Sequence, residues 1–215
     1  NITMKITPVY PPNLGWLEVK LTDDHINHLQ ECIDNSITDH KDQLAGNINN
    51  SQLIPDLDDW FYNNVLNNCC IEYANRFHNL GKKQPLNQDH PYFLDTMWVN
   101  YQRETEFNPR HFHSGIYSFV VWMKIPTDYE EQKNLDIARS TSSAISNFAF
   151  DYVNILGEGL TFTYPMSPKM EGMMVFFPSK LYHQVFPFYN CKEERISISG
   201  NILIDTKTVV NYEKV

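Results

Sequence analysis

The chain has 215 residues, of which 42% are hydrophobic and 13% aromatic, enough apolar surface to offset the entropy of ordering a single large domain. Its formal charge of −9 comes from scattered acids with no dense Lys/Arg stripe, which argues against nucleic acid as a partner. No window of about 18 apolar residues occurs, and the opening NITMKITPVYPPN lacks a signal-peptide pattern, so a cytoplasmic protein without a membrane segment is expected.

The segment from Thr22 to Asn35 begins with a capping Thr and first-turn acids, then places Ile26, Leu29 and Ile33 on one face of a short helix. A second helix is predicted from Asp58 to Leu80, where Phe61, Val65, Cys69, Tyr73 and Phe77 recur at helical spacing and Gly81 is placed to cap the end. Cys32, Cys69, Cys70 and Cys191 show neither paired metal spacing nor disulfide density, and they read as reduced thiols.

Beyond Gly81 the chain becomes rich in β-branched and aromatic residues, with strands expected near 92–102, 115–125, 147–154, 159–164, 172–177, 182–188 and 195–205. Helices followed by an unbroken run of strands imply an α+β, mainly β fold. The expected architecture is a jelly roll, or double-stranded β-helix, with N-terminal helices packed on one sheet. The whole of 1–215 reads as one domain, with 1–90 a helical support segment and 91–206 the jelly-roll core. Polar residues 127–146 read as a long loop or lid at the barrel mouth, a place where substrate specificity is expected along with the helical N-terminal segment.

Four pieces of sequence carry candidate chemistry. His111 and His113, in NPRHFHSG, stand one residue apart at the entrance to the strand near 115–125, where i and i+2 side chains share a face and can meet one ion. His183 opens a strand after a Phe-Pro turn. Arg195, in ERISISGN, shares its strand face with Ser197 and Ser199; an inward arginine needs a carboxylate, either a small dicarboxylate held also by Ser197 or a protein acid such as Glu194 or Asp151. On the strand before His111, Asn100 or Gln102 is placed to donate hydrogen bonds to such a co-substrate, and Trp122 and Tyr117 are candidates for an aromatic cavity wall.

In this order, WVNYQ, EFNP, HFHSG, YSFVVWMKIP, FFPS, the His183 segment and ERISISGN resemble the 2-oxoglutarate/Fe(II)-dependent oxygenases. The resemblance lies in their prolyl-hydroxylase-like branch, is similar to members in bacteria and phages, and covers about Met97 to Ile204. It implies an oxidoreductase, a hydroxylase with Fe(II) and 2-oxoglutarate as cofactors. It also implies that His111 and His183 are metal ligands and that Arg195, with Ser197 in the Arg-any-Ser pattern, binds the co-substrate, beside which the strand position of Asn100 makes it a further candidate. Phage encoding would place the protein in the host cytoplasm.

The sequence departs from the family at His113, where Asp or Glu is usual. Either His113 is a third ligand in an all-histidine site, or His113 and His183 bind with a carboxylate from elsewhere. A small molecule or peptide is the expected substrate, and monomer or homodimer the expected state. Alternative readings are a non-catalytic metal- or small-ligand-binding jelly roll and a structural virion part.

Overall fold

A computed structural model of the chain describes residues 7–209 apart from 12, 79, 83–88 and 143, so the first six residues read above lie outside the described residues. Helix α1 spans Asp23–Asp34 and starts as its sequence requires: Thr22 Oγ1 accepts from His25 N–H at 3.4 Å while the Thr22 N–H donates to His25 Nδ1 at 3.2 Å. This reciprocal cap puts a histidine where Glu or Gln is usual and satisfies two amide donors, a contribution of about 1 kcal/mol. It orients Leu29, Cys32 and Ile33 into the core.

The second helix departs from its expected form at both ends. Asp58 and Asp59 take left-handed φ values of 57° and 52°, turning the chain before the helix starts at Trp60. Tyr62–Leu66 then forms a π turn that passes into α2, Asn67–Arg76. The helix ends at Phe77, whose ring packs on Tyr73 at 4.8 Å, and Gly81 lies in a separate 3-10 turn, Leu80–Lys82, instead of capping the helix. Asn79, inside the expected helix, lies outside the described residues. All four cysteines are free, and Cys69 and Cys70 are buried on α2.

Three short strands that periodicity did not reveal precede the long ones: β1 (Leu17–Lys20), β2 (Thr38–Asp39) and β3 (Asn50–Leu53). The remainder are β4 (Tyr92–Gln102), β5 (Asn108–His111), β6 (Tyr117–Lys124), β7 (Phe148–Val153), β8 (Gly159–Tyr164), β9 (Met173–Pro178), β10 (Tyr182–Val185) and β11 (Arg195–Ile204). The stretch 127–146 is mainly loop, broken by a single-turn helix α3, Tyr129–Gln132; Ser143 within it lies outside the described residues.

A seven-stranded sheet runs β1-β9-β6-β11-β4-β3-β2 and a four-stranded sheet runs β5-β10-β7-β8, every pairing antiparallel. From β4 onward the chain passes between the sheets, which winds them into a double-stranded β-helix.

Strand alternation decides what each face meets. Met97, Val99, Phe119, Val121, Ile198 and Ile202 point away from the small sheet and form one core with α1, α2 and Tyr73. Their neighbours Trp98, Asn100, Gln102, Val120, Trp122, Arg195, Ser197, Ser199 and Asn201 face a cavity between the two sheets. Gly200 interrupts this alternation for a steric reason, since a Cβ there would stand 2.7 Å from the Phe119 ring and from Thr96 O.

Candidate metal centre

The cavity between the sheets has a volume of about 220 Å³ and is lined by all three candidate histidines, by Arg195, Ser197 and Asn100, and by residues 43–46. His111 is the last residue of β5 and His183 lies directly opposite on β10, a register that brings their ring centroids to 4.3 Å. His113 is not on a strand with His111, as expected from the spacing. It lies in the β5–β6 connection, where its N–H donates to Ser179 O at 2.8 Å. Gly115, at φ +87°, makes the turn that follows, and its carbonyl accepts the Ser179 hydroxyl. The convergence of the two histidines therefore arises from the crossing between sheets, not from a shared strand face.

The three rings present one nitrogen each to a common point, all within 4.8 Å of one another, with His111 Nε2 and His113 Nε2 at 3.3 Å. The opposite nitrogens fix the tautomers. His111 Nδ1 meets Pro109 O at 2.7 Å and His183 Nδ1 meets Leu181 O at 3.0 Å; carbonyls only accept, so each Nδ1 carries the proton. Ser118 Oγ donates to Asn201 Oδ1 at 3.0 Å, which leaves it to accept from His113 Nδ1 at 2.9 Å.

Three Nε2 lone pairs thus face one another with no proton to share. That donor set suits a transition-metal cation, with each imidazole oriented by a bond on its far side. Protonation is no substitute: burial pushes all three imidazoles below their ordinary value. His113 falls to about 3, with His111 adding to the effect, and His183 lies well below the ordinary range.

Arg195 is fully buried beside the same cavity, where it is held by neutral groups only. Its Nη2 donates to Ser146 O at 2.7 Å, its Nη1 to Gln102 Oε1 at 3.3 Å, and its guanidinium stands 5.1 Å over the Phe188 ring. The Nε–H is buried without a partner. Neither acid considered from the sequence pairs with it: Glu194 bonds Arg103 at 3.0 Å and Asp151 bonds Arg110 at 3.3 Å. Among the described residues no carboxylate neutralises Arg195, although burial only brings its pKa down to about 10 and leaves it cationic at neutral pH. An unpaired buried cation is costly, and an anionic ligand in the cavity would remove the cost.

Ser197 and Asn100 face each other across the β11–β4 register on the cavity side. Asn100 Oδ1 accepts the Ser51 hydroxyl at 2.7 Å. Gln102 is spent elsewhere: its amide donates to Glu106 O at 2.6 Å, and its oxygen supports Arg195. Trp122 lines the cavity, whereas Tyr117 has the opposite parity and packs on Tyr73 at 5.1 Å in the helix-side core. Among its described residues the loop 127–146 does not line the cavity except by way of Ser146 O on Arg195; Gln43, Leu44, Ala45 and Gly46 do so instead. Ser118 and Asn201, missed in the sequence, had a signal there: Ser118 is polar at an inward position between apolar neighbours, and Asn201 continues the polar face of Arg195, Ser197 and Ser199.

Residues 96–201 match the sequence model of a family described as "Putative 2OG-Fe(II) oxygenase". No curated protein matches the chain. Among solved structures, an oxidoreductase of the 2OG-Fe(II) oxygenase family from Burkholderia pseudomallei is similar in fold. It has a TM-score of 0.51 and 9% identity, over 88% of this chain and 84% of that one. A Pseudomonas putida prolyl-4-hydroxylase aligns at TM-score 0.48 and 16% identity over 87% and 91%. The viral collagen prolyl hydroxylase of Paramecium Bursaria Chlorella virus-1 aligns at 0.44 and 12% over 87% and 94%.

Proposed function

We propose, from the premise that this chain belongs to the 2-oxoglutarate/Fe(II)-dependent oxygenase family, that it is a hydroxylase holding its iron on His111, His113 and His183 and the far carboxylate of its co-substrate on Arg195. The observation that carries this reading is the buried, unpaired Arg195 in one cavity with three inward-facing imidazole lone pairs. When bound, Fe(II) and 2-oxoglutarate supply an oxidant that places one oxygen atom of O₂ on a substrate C–H position, the co-substrate leaving as succinate and CO₂.

The chain's own residues bind, orient and exclude. The three Nε2 atoms act as neutral ligands, not as bases, and the Pro109, Leu181 and Ser118 oxygens keep each ring turned to the ion. Arg195 offers its guanidinium to a carboxylate, and Ser197 with the Asn100 amide adds donors beside it. Trp98, Val120, Trp122 and Phe148 wall the cavity against water. His113 in place of a carboxylate leaves the ion nearer +2, which strengthens its hold on an anionic chelating co-substrate.

The primary substrate is a small molecule or a peptide, and residues 43–46 line the cavity that would receive it. The same reading takes 1–215 as one domain. Among the described residues no helix is long and apolar enough to cross a membrane. The reading is tested by calorimetric titration of 2-oxoglutarate into Mn(II)-loaded protein: saturable binding in the wild type and its loss in Arg195→Met support it, and undiminished binding in the variant contradicts it.

A further inference from the structure

A second set of ligand-type side chains lies outside the cavity, where α1 packs against the turn that leads into the second helix. His28 and Cys32 stand four residues apart on α1, hence on one face one turn apart, and Asp56 reaches the same point from the turn. His28 Nε2 is 3.3 Å from Asp56 Oδ1 and 3.4 Å from Cys32 Sγ. In the metal-free protein the two contacts share one donor, the His28 Nε2–H pointing to the Asp56 carboxylate and to Cys32 Sγ, a weak acceptor, so that nitrogen, oxygen and sulfur converge on one point.

The distances also fit a tetrahedral cation in place of that proton. Metal bonds of about 2.0 Å to nitrogen and oxygen and about 2.3 Å to sulfur, at tetrahedral angles, put ligand atoms roughly 3.3 Å (N···O) and 3.5 Å (N···S) apart. The observed separations are 3.3 and 3.4 Å. The surroundings also resemble those of a metal ligand set. Asp56 is oriented by the Phe61 and Tyr62 N–H groups at 2.9 and 2.7 Å, and the His28 ring packs on Trp60 at 4.5 Å.

We infer that His28, Cys32 and Asp56 form a second, structural site for a borderline divalent cation of the zinc type, with a water molecule as the fourth ligand. On binding, the Cys32 S–H bond breaks, a metal–sulfur bond forms and one proton passes to solvent. The ion clamps α1 to the turn at Asp58 and Asp59, where the backbone is held in left-handed conformations.

Cobalt(II) distinguishes this site from the cavity, because only this one offers a thiolate. Anaerobic titration of the full chain with Co(II) is expected to give a near-ultraviolet thiolate-to-cobalt charge-transfer band. The band should persist in His183→Ala, vanish in Cys32→Ser and be displaced by Zn(II). X-ray absorption of zinc-loaded His183→Ala, expected to show sulfur scattering at about 2.3 Å, needs no change at Cys32. Absence of the band in the wild type, its survival in Cys32→Ser, or a zinc shell without sulfur would overturn the inference.

Discussion

Arg195 on β11 and Gln102 on β4 are register partners, and the guanidinium meets there a neutral amide oxygen at 3.3 Å and no carboxylate. The arrangement costs stability in the free protein and is useful only if an anion arrives.

Replacing Arg195 by Met should therefore have effects of opposite sign. Binding of 2-oxoglutarate should weaken by about 2–5 kcal/mol, a factor of roughly 30 or more, because the ligand carboxylate loses its buried partner. The melting temperature of the ligand-free variant should be unchanged or higher, since an uncompensated buried cation is removed. Calorimetry and thermal unfolding read the two effects; a large drop in melting temperature would mark Arg195 as structural.

Ser118→Ala leaves all three histidines in place but removes the acceptor that keeps the His113 proton on Nδ1. Metal affinity should fall by about 10–100-fold with little change in the unfolding midpoint of the metal-free protein. Competition with a chromophoric chelator measures it, and an unchanged affinity would show that His113 is not a ligand.

Acid should release the metal later than free histidine chemistry predicts. A histidine whose folded pKa lies below its unfolded value near 6.5 contributes stability that is whole above 6.5 and is lost as pH falls toward the folded value. In that window each such histidine costs about 1.4 kcal/mol per pH unit. Protons therefore compete poorly near neutrality, and half-release of Mn(II), followed by gel filtration at stepped pH, is expected below about pH 6. Half-release above pH 6.5 would contradict the buried, neutral site.

Gly115→Ala should cost about 1–3 kcal/mol, because the turn needs φ +87° and a Cβ would stand 2.7 Å from Ile202 O. For a chain of this size that is a loss of several degrees in melting temperature. Melting curves of the metal-free protein check it.

Sequence alone carried most of the large sheet. In β11 the cavity-side Arg195, Ser197 and Ser199 alternate with Ile196 and Ile198, and in β4 Trp98, Asn100 and Gln102 alternate with Met97, Val99 and Tyr101, so alternation gave their bounds and put Arg195 and Ser197 on the cavity face. It failed where the signal is short or non-local. β5 is four residues long and contains Pro109, a poor strand former, so His111 and His113 were read on one strand instead of at a crossing. The helix end was missed because Phe77 continues the apolar period although the backbone stops there. Residues 43–46 reach the cavity through tertiary placement that no local pattern encodes.

In the proposed hydroxylase one cavity holds iron on three histidines and 2-oxoglutarate on Arg195. Anaerobic addition of Fe(II) and then 2-oxoglutarate to the protein tests it through the weak visible charge-transfer band of the iron-bound keto acid. The band should appear in the wild type and be lost in His183→Ala and Arg195→Ala. Bound iron with no band on saturating 2-oxoglutarate would contradict the account and leave a jelly roll that binds metal without this chemistry.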